Sequence, residues 1–264
     1  MSRMREGTIL TVCLLTLVLI SGSAYAVDMV GFDMSDSNLY SINPVTGATA
    51  FLAYTNICGA PGACGAGSAS AIYVVADGSP NELYSMNVSS GLVTKIGTFT
   101  GLPATIRQLA YDAGAGVMYG TDRTNLYRIN PLTAATTLVG DFGGIGDMLA
   151  MGFVPGQGLY GVSNITHTLY RISTQNGALT TIGLTGADRI TDIAYSASSQ
   201  RLIGVTNSPT YVGGVYQLSL STGAATLLST NGRNIMGIAE LVPEPSSILI
   251  MLCGIGGMIW RRRR

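Results

Sequence analysis

The chain has 264 residues, 47% hydrophobic and only 11% charged, with 14 basic and 14 acidic side chains, 35 glycines, four cysteines and one histidine. Between residues 27 and 242 there are 8 lysines and arginines against 12 aspartates and glutamates, a net charge of −4. Nucleic-acid binding needs a basic stripe, and a mildly acidic, sparsely charged domain excludes it.

Residues 1–26 read as a signal peptide. Arg3 and Arg5 precede an apolar run from Thr8 to Ile20, and "SGSAYA" closes with small residues at Ala24 and Ala26. A basic start, a short apolar core and a small-x-small site direct export and cleavage after Ala26. The run is short for a permanent anchor, which needs about 20 apolar residues.

Two cysteines remain in the exported region, Cys58 and Cys64, within "CGAPGAC". An oxidising compartment makes a disulfide between them the expectation, with free thiols as the alternative. A metal site is disfavoured, because two cysteines and one histidine rarely complete a ligand set, and no cofactor is expected.

One motif then recurs five times: "LYSINPVTGATAFL" from Leu39, "LYSMNVSSGLVTKIG" from Leu83, "LYRINPLTAATTLVG" from Leu126, "LYRISTQNGALTTIG" from Leu169 and "VYQLSLSTGAATLLS" from Val215. Its tyrosines, Tyr40, Tyr84, Tyr127, Tyr170 and Tyr216, are spaced by 44, 43, 43 and 46 residues. Each copy reads as strand, turn and strand, with Pro, Asn and Gly supplying the turn. Two further alternating segments precede it in most units, as in "QLAYD" and "VMYGTD" at 108–112 and 117–122. Four strands in about 43 residues are the length of a propeller blade.

The ends of the repeat region complement one another. "MVGFD" at 29–33 opens a unit without its innermost strand, and "IMGIAEL" at 235–241 is an innermost strand without a unit. The expected fold is therefore an all-β, five-bladed propeller over residues 27–242, closed by the C-terminal strand. A β-sandwich is the competing architecture, but it does not require the repeat. Small residues Ala110, Gly152, Ala194 and Ala239 suit crowding near an axis. The inner strand of the second unit is hard to place around Cys58 and Cys64. The units resemble YVTN and quinoprotein-like propellers, in which "LY.I...TG....IG" recurs, and the tyrosines are expected to pack the blades.

The few charges gather in loops expected on one face: Asp122, with Asp33 and Asp77 at the same place in other units, and Arg107, Asp147, Arg189, Asp192 and Arg233 in the loops leading to inner strands. Three readings apply. Asp and Asn start turns by accepting nearby amides; the face could bind carbohydrate; or paired carboxylates such as Glu240, Asp147 and Asp192 could hydrolyse a glycosidic bond. His167 stands alone, with no serine elbow or partner for a triad, and no catalytic residue is assigned.

The last segment, residues 243–264, joins Pro243-Glu244-Pro245 to an apolar run, Ile248 to Trp260, and to Arg261, Arg262, Arg263 and Arg264. Thirteen residues at ~1.5 Å each cover about 20 Å, less than the ~30 Å hydrocarbon core. Terminal arginines would stay on the cytoplasmic side. These three parts in this order resemble the PEP-CTERM sorting signal. The resemblance implies an exosortase-type membrane protease as transient partner, temporary membrane anchoring, and delivery to the cell surface or beyond. It also implies association with extracellular polysaccharide and biofilm matrix. Hydrophobic helices are expected at both ends. The expected role is a structural or glycan-interacting matrix protein, with a polysaccharide-degrading enzyme as the alternative.

Overall fold

The computed structural model describes residues 27–57, 62–65, 68, 70–76, 81–101, 105–207 and 213–241. The expected terminal helices, the sorting signal and Cys58 lie outside them. Among the described residues no helix is long and apolar enough to cross a membrane.

Among the described residues, twenty strands form five antiparallel four-stranded sheets. The first blade contains β1 (Met29–Asp33), β2 (Asn38–Ile42) and β3 (Thr49–Tyr54). The second contains β4 (Gly62–Gly65), β5 (Ala71–Ala76), β6 (Glu82–Asn87) and β7 (Val93–Thr98). The third contains β8 (Gln108–Asp112), β9 (Val117–Thr121), β10 (Asn125–Ile129) and β11 (Thr136–Asp141). The fourth contains β12 (Met148–Val154), β13 (Gly158–Ser163), β14 (Thr168–Ile172) and β15 (Leu179–Leu184). The fifth contains β16 (Ile190–Ser196), β17 (Arg201–Thr206), β18 (Gly214–Leu218) and β19 (Ala225–Thr230). The last strand, β20 (Ile235–Glu240), pairs with β1, so the first sheet runs β20-β1-β2-β3. The five-bladed propeller and its closure by one C-terminal strand are both present. The inner strand of the second blade is the short β4, six residues before β5.

The repeated Leu-Tyr step has a structural cause. In every blade the third strand breaks register with the fourth at that step, between Leu39/Tyr40, Leu83/Tyr84, Leu126/Tyr127, Leu169/Tyr170 and Val215/Tyr216. Such a bulge increases local twist, which blades need. The first residue of each pair is fully buried, worth about 1.5–3 kcal/mol per side chain. Three tyrosine hydroxyls reach the preceding turn, where Tyr40 donates to Asp36, Tyr127 donates to Asp122 and Tyr170 lies 3.0 Å from Thr166 Oγ1, while Tyr84 donates to Glu82 at the start of its own strand. The tyrosines thus hold the blades.

The glycine that closes three copies of the motif, Gly97, Gly140 and Gly183, lets the next blade approach. A Cβ on Gly140 or Gly183 would run into the carbonyl oxygen of Asn176 or Thr222, which belong to the outer turn of the next blade. The turn of one blade therefore seats on the outer strand of the blade before it. Five hydrophobic clusters fill the five seams between neighbouring blades. The cluster of Met29, Ile42, Ala194, Val205, Val215 and Ile238 fills the closing seam.

Candidate functional site

The inner strands have two ends, and each end presents a different surface. At their N-terminal ends lie the loops that carry the charges. Here Arg233 stacks its guanidinium 3.7 Å from the Tyr40 ring centroid, and its Nη1 is 3.9 Å from both Asp33 Oδ2 and Asp36 Oδ2. Those spacings are ion pairs but too long for hydrogen bonds. Arg123 Nη1 is 3.4 Å from Asp147 Oδ1, and Asn164 Nδ2 donates to Asp147 Oδ2 at 2.9 Å. Arg189 stands immediately before β16, and its Nε is buried with no hydrogen-bond partner. Arg107 precedes β8, where its backbone N–H donates to Thr121 O at 2.7 Å.

The repeated aspartates are turn residues. Asp122 Oδ1 accepts the amides of Thr124 at 3.0 Å and Asn125 at 2.7 Å, while Oδ2 accepts Asn125 Nδ2 at 3.0 Å and the Tyr127 hydroxyl at 2.8 Å. Burial pushes this carboxyl up, but the bonds from Asn125, Tyr127 and the amides outweigh it and hold it below the ordinary aspartate range. The same pairing acts in reverse on Tyr127, where burial and then Asp122 push the phenol up to about 12. Asp33 Oδ1 accepts the Ser35 amide at 2.8 Å. Asp77 lies outside the described residues.

Asp192 departs from the expectation that it joins this surface. It is the third residue of β16, fully buried at the axis. Its Oδ1 accepts the Ile193 amide at 2.9 Å and its Oδ2 the Ile238 amide at 2.8 Å. The amides of Met151 and Ala63 also bond to it. A propeller leaves the inner edges of its innermost strands unpaired, and buried N–H groups need acceptors. One carboxylate serves four inner strands. Burial pushes its carboxyl well above the ordinary range, against the pull of those amides. Aligned inner strands place Gly62, Gln108, Ala150 and Gly237 at the same position, so a lone aspartate there was the missed signal.

At the other end of the inner strands is a cavity of about 490 Å³. Strand register makes Gly65, Tyr111, Phe153, Tyr195 and Glu240 equivalent positions, one per blade, and all five line it. Tyr111 packs edge-on against Tyr73, centroids 5.5 Å apart. Glu240 Oε1 accepts the Ala197 amide at 2.6 Å. Burial raises the Glu240 carboxyl, the Ala197 amide opposes this, and the charge of Asp28 adds to it. Cys64 lines the same cavity as a buried, free thiol, which burial and then the Asp192 charge push up. Cys58, the partner expected for it in a disulfide, lies outside the described residues. Cys64 sits at the small-residue position shared with Ala110, Gly152, Ala194 and Ala239 and packs into the seam between the second and third blades. Among the described residues, no cluster of three His, Cys, Asp or Glu side chains could hold a metal.

Residues 30–185 match the family model described as a repeat of unknown function, DUF6923. A search of curated proteins finds no match. A protein of unknown function from Bacteroides thetaiotaomicron superposes with a TM-score of 0.55 at 14% identity, over 76% of this chain and 55% of that one. The chain thus spans about half the length of that protein. The nidogen/laminin complex superposes with a TM-score of 0.56 at 13% identity, over 82% of each chain. At these identities the likeness is one of fold. The chain belongs to the DUF6923 repeat family.

Proposed function

We propose that the protein is an exported, surface-sorted propeller that holds extracellular polysaccharide on its charged loop face, as a binding or structural component rather than a hydrolase. The observation that carries this reading is the state of two arginines. Arg189 is half-buried and its guanidinium forms no hydrogen bond or ion pair among the described residues, and Arg233 meets its carboxylates only at 3.9 Å. Both guanidinium groups retain donors for a sugar carboxylate or hydroxyl. The nearby carboxylates are committed otherwise: Asp122 to its turn and Tyr127, Asp147 to Arg123 and Asn164. Hydrolysis needs two carboxyl groups free to flank the bond.

Export and sorting are supported by the terminal segments: the basic, apolar and small-residue pattern of residues 1–26, and Pro243-Glu244-Pro245 with Arg261 to Arg264. An exosortase-type protease would release the chain from its temporary anchor.

Pull-down on immobilised uronate-bearing polysaccharide tests the binding role. The wild-type protein is expected to be retained and the Arg189→Ala, Arg233→Ala double variant to be lost. Equal retention of both would place the site elsewhere. Release of new reducing ends during incubation would favour the polysaccharide-degrading alternative.

A further inference from the structure

The axial cavity lies at the opposite end of the inner strands from Arg189 and Arg233, and the proposed polysaccharide role leaves it unused. Its walls come from all five blades, since Ala63, Ala110, Gly152, Ala194 and Glu240 all line it. Its rim is exposed at Ala113, Gly114, Pro155, Gly156 and Ala197, so a solute can enter. At about 490 Å³ it is within the range of small-molecule sites.

Its chemistry is one-sided. Of the five equivalent positions at the mouth, three are aromatic, one is a glutamate and one is glycine. Asp112 is a second carboxylate in the lining, and among the described residues no lysine or arginine lines it. Arg171 approaches Gly158 from the neighbouring strand but does not join the lining. Neither Asp112 nor Glu240 forms an ion pair among the described residues. An anion would meet only negative charge here.

A sugar would need several converging donors and acceptors. Asp112 Oδ1 already accepts the amides of Gly114 and Ala115, and Glu240 Oε1 accepts that of Ala197. Much of the remaining wall is Gly, Ala and aliphatic carbon. Aromatic side chains with an uncompensated carboxylate suit a cation that carries its own apolar surface, because ring quadrupoles attract positive charge and the methyl groups need no hydrogen bonds.

We propose that the axial cavity binds a small organic cation of the alkylammonium class, with Tyr111, Phe153 and Tyr195 supplying aromatic surface and Glu240 the countercharge. Glu240 occupies the one position of the ring where the other blades place an aromatic side chain or glycine. The site is assembled only when β20 closes the ring, since Glu240 and Ile238 are contributed by that strand.

Calorimetric titration of the folded protein with choline chloride at constant ionic strength tests this. Saturable binding with a dissociation constant of about 1 mM or tighter is expected. The neutral isostere 3,3-dimethylbutan-1-ol should bind about tenfold or more weakly. Glu240→Gln keeps an oxygen for the Ala197 amide while removing the charge, and it should weaken choline binding about tenfold. Arg189→Ala with Arg233→Ala should leave choline binding unchanged, which separates this site from the polysaccharide face. Equal binding of choline and its isostere, choline affinity unaltered in Glu240→Gln, or no saturation by choline would each overturn the proposal. The isostere comparison uses the wild-type protein and stands even if a variant misfolds.

Discussion

The carboxylate of Asp192 accepts the backbone N–H of Ile238 at 2.8 Å, across the seam between the fifth blade and the strand that closes the ring. Forty-six residues separate the pair in sequence. The bond joins closure to the axis, because the same side chain also serves amides on β4, β12 and β16.

Removing that acceptor strands several buried donors at once. Asp192→Ala should cost at least about 3 kcal/mol in chemical denaturation, since each unsatisfied buried group costs about 1–3 kcal/mol. Asp192→Asn keeps one acceptor oxygen and should cost less. The pH dependence has a definite sign. The folded carboxyl titrates well above its ordinary value, so the folded state holds the proton more tightly than the unfolded chain. Its contribution is complete below about pH 4 and is lost as pH rises through the folded pKa. The stability advantage of wild type over Asp192→Asn should therefore shrink as pH is raised from about 4. An advantage that grew with pH would mean the buried group is held as a carboxylate.

Asp122 shows the opposite behaviour. Its folded pKa is lowered, so its contribution is present above about pH 4 and is lost as pH falls through the folded value. Asp122→Ala should cost about 1–3 kcal/mol, and Tyr127→Phe about 1 kcal/mol. Both variants should keep polysaccharide affinity. Loss of binding with intact stability would return Asp122 to the ligand site.

The outer turns provide a paired backbone test. Gly91 has φ +68°, and a Cβ there would overlap the Tyr54 carbonyl oxygen, whereas Ala134 takes φ +60° at the corresponding place in the third blade. Gly91→Ala should destabilise by more than about 1 kcal/mol, because strain and clash add. Ala134→Gly should change stability by less than about 1 kcal/mol, as relief of strain offsets loss of a buried methyl. Thermal melts of both variants distinguish them, and equal effects would contradict the seating of turns on the preceding blade.

Ring closure is testable by truncation at Gly232. That deletion removes β20, exposes the edge of β1 and takes Ile238 away from Asp192. Unpaired edges invite association, so size-exclusion chromatography should show aggregates. A monomer melting like the intact domain would contradict closure by β20.

The blades were legible because each repeat carries its own turn residues and its own alternation, and spacings near 43 residues survive divergence. Closure was legible because the two partial units complement each other. The short β4 was not, since Gly62 to Gly65 lacks the β-branched and aromatic residues that announce a strand. The bulge at each Leu-Tyr step was hidden too, because register depends on a partner strand. Of the candidate residues, Arg233, Asp147 and Arg189 lie on the loop face, where the order of strands within a blade places them. Asp192 was misassigned because three residues decide whether a side chain lies in the loop before β16 or inside it. The axial cavity requires five strands distant in sequence, so Tyr111, Phe153, Tyr195 and Glu240 show no common pattern until the ring is closed.

Delivery outside the cell is the central claim, and intact-mass spectrometry of the protein recovered from a surface fraction of a host carrying the processing protease tests it most directly. The expected species begins at Val27 and ends near Pro245, having lost both terminal segments. Recovery of a chain running from Met1 to Arg264, confined to the cytoplasmic fraction, would contradict it.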